Sequence, residues 1–262
     1  MLEGQYAMKN IRTRILRFTV ALLTAIALSG PPVMADRGVS LVCDIWPPYQ
    51  FKTEDGVTGM AVEIVEAVYR RMDIVHVELR AFPWKRALDA IRYAEADALI
   101  SANHTPAREI YLRYPEEPIF ESSWVIWTKA GSSILTLDDL KGKTVGVVLG
   151  YSYTPEFWNF ITANCTVEKV YNDDINFRKL SEGRLDATVA EFGNGLTLVR
   201  DLGDTAIRPV NGIEIKRDGL YIVFNRQVTG EAFVQRFSDE LKAFKQTDEH
   251  QAIREKYLGK GN

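Results

Sequence analysis

The apolar residues of this chain change their period repeatedly. VSLVCDI, residues 39 to 45, is a continuous apolar run of strand length, whereas GMAVEIVEAVYRRM places Ala61, Ile64, Val65, Val68 and Met72 at helical spacing. VHVELR reads as a second strand, WKRALDAIRYA as a second helix and ALIS as a third strand, and the alternation resumes from KTVGVVLG through to TVAEF. Strands that alternate with helices restrict the chain to an α/β architecture with parallel strands, since each parallel pair needs a crossover and a helix is the usual one.

Within this alternation one unit recurs. ALDAIRYAEADALIS and FRKLSEGRLDATVAE each run helix, tight turn, Asp-Ala, apolar strand. The first strand opens into Ser101 and the second into Glu191, both at the carboxyl end, where open α/β sheets gather their ligands. Two such ends facing each other form a cleft. SWVIWTKAG (123 to 131) and GLYIVFN (219 to 225) are extended stretches that cross between the halves, and two crossings make a hinge. The last stretch, EAFVQRFSDELKAFKQTDEHQAIREKYLG, is amphipathic, with Phe233, Phe237, Leu241 and Phe244 on one face, and is expected to pack on the first lobe. The expected organisation is a leader at 1–35, the first part of lobe 1 at 36–124, lobe 2 at 125–221, and the return segment with the C-terminal helices of lobe 1 at 222–262.

The leader is read from Lys9, Arg12, Arg14 and Arg17, which precede the apolar FTVALLTAIAL and then SGPPVMADRG. That is the pattern of a secretory signal peptide cleaved after Ala35, and the apolar run falls short of the ~20 residues a membrane span needs. The expected location is therefore outside the cytoplasm. Loss of residues 1 to 35 takes four bases and one acid from totals of 32 and 35, leaving 28 Lys+Arg against 34 Asp+Glu. A chain with that surplus of acid carries no basic footprint for nucleic acid. Export permits disulfides, but the two cysteines, Cys43 in an apolar run and Cys165 in a polar one, fall in different lobes; two unpaired thiols are expected, with a bridge as the alternative. His76, His104 and His250 have no ligand-like spacing, so neither a metal site nor a cofactor is expected.

Three nucleotide or catalytic motifs fail. GKT at 142 to 144 mimics the end of a phosphate loop, but Leu137 stands where that loop needs its first glycine. GYSYT lacks the second glycine of a nucleophile elbow, and GVVLG lacks the spacing of a dinucleotide fingerprint.

The segments WPPYQF, GVTGMAVEIVEAV, FPWKRALDAI, DALISANHTPAR, YPEEPIF, LDDLKGKTVGVVLGYSY, LSEGRLDATVAE and IREKYLG, in that order, resemble the periplasmic solute-binding proteins of ABC transporters, in the family 3 group that includes polar amino acid binders. The resemblance implies a two-lobed periplasmic-binding-protein fold of type II, each lobe a mixed sheet flanked by helices, with a two-strand hinge. It implies a monomer that captures a small polar, carboxylate-bearing solute, an amino acid or a relative, and docks on a permease. In that family an arginine following a threonine grips the ligand carboxylate, and Arg108 matches it, with Ser101, Asn103 and Thr105 alongside. A guanidinium fork meets a carboxylate with two parallel hydrogen bonds.

From the other lobe, Tyr151, Ser152 and Tyr153 match the family's turn into a helix, where free N–H groups add donors, and Ser152 stands where a threonine is frequent. Glu191 aligns with the aspartate that pairs with an α-ammonium group, and its extra methylene implies a smaller ligand on that side or a displaced cation. A second departure is one residue fewer between Asp97 and Arg108, with Asn103 in place of a small hydroxyl residue. Trp46, Tyr49 and Trp84 occupy cleft-facing positions of relatives, and Arg86 is a candidate second anion partner. Two other functions share the fold: a dehydratase acting on cyclic acids, with Glu191 as general acid, and a sensing adaptor for a membrane receptor.

Overall fold

The computed structural model of the protein describes residues 38 to 259, so the leader expected at 1–35 lies outside the described residues. In chain order the first half holds β1 (Val39–Cys43), β2 (Phe51–Thr53), β3 (Gly56–Thr58), α1 (Met60–Arg71), β4 (Val77–Ala81), α2 (Trp84–Arg92), β5 (Ala98–Asn103), α3 (Pro106–Glu109) and β6 (Leu112–Arg113). The long strand β7 (Phe120–Lys129) leads out of it. A 3-10 turn at Leu137–Leu140 then precedes β8 (Thr144–Val148), α4 (Pro155–Asn164), β9 (Thr166–Val170), α5 (Asp173–Ser181), β10 (Ala187–Glu191) and α6 (Phe192–Leu202). A second long strand, β11 (Ile207–Asn225), returns to α7 (Glu231–Phe244) and α8 (Asp248–Leu258).

The sheet order is β4-β1-β5-β11-β7-β10-β8-β9, with β6 on β11 and a separate β2-β3 ladder. Strand β1 pairs parallel with β4 and β5, and β8 pairs parallel with β9 and β10. These two triplets are the predicted α/β units, with α1 and α2 as crossovers in one and α4 and α5 in the other. The centre of the sheet departs from the all-parallel expectation, because β7 leaves the first half and β11 comes back. Two such strands must run opposite ways, and both are antiparallel to each other and to their outer neighbours. Strand β11 also begins twelve residues before the predicted crossing at 219, and its early part is interrupted by register shifts between Pro209 and Glu214 and between Glu214 and Lys216. That early part is mostly half-exposed or exposed, which is why apolar patterning missed it.

Helix α1 buries Ile64, Val65, Val68 and Tyr69, and α7 packs on it through Phe237, whose ring meets Tyr69 edge-on at 5.3 Å. Phe237, Leu241 and Phe244 are fully buried, each contributing about 1.5–3 kcal/mol by leaving water, while Phe233 is only half-buried. The C-terminal helices therefore belong to the first half. The second half has its own apolar cluster around Trp127, Phe177, Leu180 and Leu198. Cys43 is buried in β1, Cys165 follows α4, and both thiols are free. Among the described residues no helix is long and apolar enough to cross a membrane.

Candidate functional site

The carboxyl ends of the parallel strands converge where the two halves meet. Asp44 follows β1, Asn103 ends β5, Gly150 and Tyr151 follow β8, and Glu191 ends β10. Side chains from one half reach groups of the other directly.

Arg108 sits in α3, a helix of one turn that Thr105 caps by accepting from the Arg108 N–H. Thr105 thus positions the arginine. The Arg108 side chain is buried; Nη1 donates to the Asn103 carbonyl at 2.9 Å and Nη2 crosses the cleft to the Gly150 carbonyl at 3.0 Å. Its guanidinium lies over the Trp84 ring at 5.4 Å, and Trp84 Nε1 donates to the same Gly150 carbonyl at 2.9 Å. Gly150 has φ +82 and a Cβ there would stand 3.2 Å from Trp84, so this close approach requires glycine. Burial draws the Arg108 pKa down from its usual value, and nearby phenols and Asp218 oppose that.

Close by, Ser152 Oγ donates to Asn103 Oδ1 at 3.4 Å and accepts from Lys216 Nζ at 3.3 Å. Ser101 is buried, has φ +64, and lies in a bulge where the β5–β11 register slips between Tyr221 and Val223. Its hydroxyl has no hydrogen-bond partner among the described residues.

The opposite end of the cleft is acidic. Glu191 is both the end of β10 and the N-cap of α6: Oε2 accepts from the Asn194 N–H at 2.7 Å, and Oε1 accepts from the Tyr49 hydroxyl of the other half at 3.1 Å. A Cβ at Gly193 would approach the Tyr49 oxygen to 2.5 Å, so glycine there leaves room for the phenol. The Tyr151 hydroxyl lies 3.1 Å from Asp173 Oδ2 and 3.3 Å from Asp44 Oδ2, and Trp46 Nε1 donates to the same Asp173 oxygen at 3.2 Å. A phenol has one proton to give, and a proton on one of the carboxyl groups lets both contacts be full hydrogen bonds. Burial supplies the tendency: it raises Asp44, Asp173 and Glu191 each to about 7, against hydrogen bonds that pull the other way. None of the three has an ion-pair partner among the described residues.

Between the two ends stands an aromatic wall. Trp46 stacks on Trp124 at 5.8 Å, Tyr49 stacks on Phe120 at 4.3 Å, and Tyr151 meets Trp84 and Trp124 edge-on. Of the residues expected from sequence, Trp46, Tyr49, Trp84, Ser101, Asn103, Arg108, Tyr151, Ser152 and Glu191 come together. Two do not. Arg86 lies on the exposed side of α2, paired with Glu95 at 2.8 Å and beside Phe82. Tyr153 stands behind the wall: its ring meets Trp124 edge-on at 6.3 Å and stacks on Trp158, and its hydroxyl accepts from the Val148 N–H.

Residues 40–260 match the bacterial extracellular solute-binding proteins, family 3. The chain belongs to that family. Relatives of this solute-binding protein include the L-cystine-binding protein TcyJ of Escherichia coli, 28% identical over 231 residues that cover 86% of this chain and 84% of that one. The arginine-binding extracellular protein ArtP of Bacillus subtilis is 28% identical over a shorter 106 residues, 40% of this chain and 41% of that one. Among solved structures, an ancestral arginine-binding protein bound to arginine superposes with a TM-score of 0.76 at 25% identity, covering 85% of this chain and 98% of that one. These are amino-acid-binding proteins, and the fold of this one is the type II periplasmic-binding-protein fold of two lobes.

The solute-binding protein also places in the cleft residues that sequence reasoning passed over: Asp44, Asp173, Phe120, Trp124 and Lys216. Asp44 carried a usable signal, since it follows a parallel strand at its carboxyl end. Asp173 reads in sequence as an ordinary first-turn acid of a helix, and Lys216 belongs to the part of β11 that showed no strand pattern.

Proposed function

We propose that this solute-binding protein captures, in the periplasm, an amino acid or close relative bearing a carboxylate and at least one ammonium or guanidinium group, and delivers it to the permease of an ABC importer. One observation carries the reading. Across a single cleft, a buried guanidinium held by backbone carbonyls beside the Tyr114 phenol and the Trp84 ring faces buried carboxyl groups that no lysine, arginine or histidine neutralises among the described residues. Burying an unpaired charge costs several kcal/mol, so a solute that brings the complementary charges gains what the empty arrangement forgoes. Arg108 takes the carboxylate in place of the Gly150 carbonyl, with Ser101, Asn103 and Ser152 adding polar contacts. Glu191 and the Asp44–Asp173 pair take the cationic groups, and Trp46, Tyr49, Trp84, Trp124 and Tyr151 wall the space between. The relatives' names agree in chemistry, since arginine and cystine each carry a carboxylate and more than one nitrogen cation.

The remaining parts follow from this reading. A leader is cleaved after Ala35, the lobes divide near 36–124, 125–221 and 222–262, β7 and β11 flex as the hinge, and the protein acts as a monomer. Binding without turnover is included: the Glu191 oxygens accept from Tyr49 and from the first turn of α6, which fits a carboxyl group that holds the cleft and the solute's cation.

A thermal-shift panel of amino acids on the mature protein tests the proposal, because a solute at about 100 times its dissociation constant stabilises by roughly 2.7 kcal/mol. Solutes with a carboxylate and extra cationic groups are expected to raise the melting temperature, and Arg108→Ala is expected to abolish the rise. A panel without hits, or an Arg108→Ala variant that binds as the wild type does, overturns it.

A further inference from the structure

Lys216 is a cation in the cleft that the family resemblance does not assign. It stands on β11, just past the register shift that follows Glu214, and pairs in the ladder with Trp124. The shift turns its side chain inward: only 11% of it is exposed, and the ammonium lies over the Trp124 ring at 5.1 Å. Nζ donates to Ser152 Oγ at 3.3 Å, and Ser152 in turn donates to the side chain of Asn103, whose carbonyl holds Arg108. Arg108 and Lys216 therefore flank one Asn103–Ser152 contact from two sides.

Two buried positive charges so close repel, and the surroundings answer that only in part. Asp218 pairs with Lys216 at 3.5 Å from a partly exposed position, while Arg108 is held by the Asn103 and Gly150 carbonyls beside the Tyr114 phenol. The unpartnered hydroxyl of Ser101 lies at the same strand end as Asn103. One solute carboxylate satisfies the Arg108 fork, and the Lys216 ammonium is answered only by the partly exposed Asp218, which leaves it able to take a second carboxylate.

We propose that Lys216 is a specificity-determining residue that binds a second carboxylate, so that the preferred solute is a dicarboxylate carrying ammonium groups. This rests on the amino-acid-binding reading above and narrows it. Lys216 stands on one of the two crossing strands, and the Trp124 face holds its stem in line. Burial draws the Lys216 pKa down to about 8, with Asp218 opposing and Arg108 assisting, so its charge is present at neutral pH and fades above it.

The test uses lysine and diaminopimelate, which differ by one carboxylate on the distal carbon, together with cystine and arginine as a second dicarboxylate and monocarboxylate pair. Calorimetry on the mature wild type is expected to show a dicarboxylate bound more tightly than its monocarboxylate counterpart. Lys216→Met is expected to weaken that dicarboxylate by roughly tenfold or more, in keeping with the loss of a charged hydrogen bond, and to leave the monocarboxylate within about twofold. Lys216→Arg is expected to keep the preference and to remove its decline between pH 7 and 9. An unchanged monocarboxylate affinity in Lys216→Met shows that the variant is folded. Equal affinity for both classes in the wild type, or equal weakening of both by Lys216→Met, overturns the role of Lys216 while leaving amino-acid binding intact. Failure of all four solutes to bind the wild type overturns both.

Discussion

Ser101 holds a left-handed backbone conformation, φ +64, in a strand-end bulge, and buries a hydroxyl with no partner among the described residues. A side chain in that region costs about 1–2 kcal/mol, whereas glycine there costs only its own chain entropy of about 0.5–1 kcal/mol. Ser101→Gly is therefore expected to leave stability unchanged or raise it by up to about 1 kcal/mol, read from denaturant melts, while weakening solute affinity. A clear loss of stability would show that the hydroxyl serves the fold. At the residue scale, position along the chain was informative for where Arg108, Ser101 and Glu191 stand around the cleft, and their roles there belong to the proposal. Position was less informative for Asp44 and Asp173, because a lone acid after a strand or in a helix's first turn has a sufficient local reason to be there. Only the Tyr151 hydroxyl between them, 3.1 and 3.3 Å away, shows that they act together.

At the scale of elements, α3 has four residues and is held by its cap and by Pro106 at its start. A helix that short has no stability of its own, since nucleation alone outweighs a single turn of hydrogen bonds. Thr105→Ala is expected to cost about 0.5–2 kcal/mol and to loosen Arg108, so solute affinity drops along with the midpoint of unfolding, whereas Thr105→Ser retains both. An affinity that survives Thr105→Ala would mean that Arg108 is positioned by Asn103 and Gly150 alone. The parallel triplets were legible because their strands are buried runs between amphipathic helices, a two-period signal that needs no tertiary knowledge. Strands β7 and β11 were legible only as extended crossings. Their antiparallel pairing follows from the chain leaving and re-entering the first half, and the mixed exposure of residues 207 to 218 hid the first half of β11, Lys216 included.

For the molecule as a whole, burial of the cleft carboxyl groups couples folding to protons. Asp44, Asp173 and Glu191 reach about 7 on burial, so between their ordinary values near 4 and pH 7 the folded form holds protons that the unfolded form releases. The sign follows: what these groups contribute is present at low pH and is lost as pH rises through about 7. His250 works in the opposite direction, because burial and the neighbouring Arg254 and Lys245 lower it to about 4, and stability from its neutral form is lost as pH falls below its ordinary value. Melting temperature therefore mixes the two, and the cleaner readout is proton exchange on binding. A cationic solute takes the place of the carboxyl protons, so its binding is expected to release protons below pH 7, and its affinity is expected to rise from pH 5 to about 8. Calorimetry in two buffers of different ionisation enthalpy measures the release directly. An affinity that is flat over this range, with no buffer dependence, would mean that the three carboxyl groups keep their protonation state and that the solute's cation is met elsewhere.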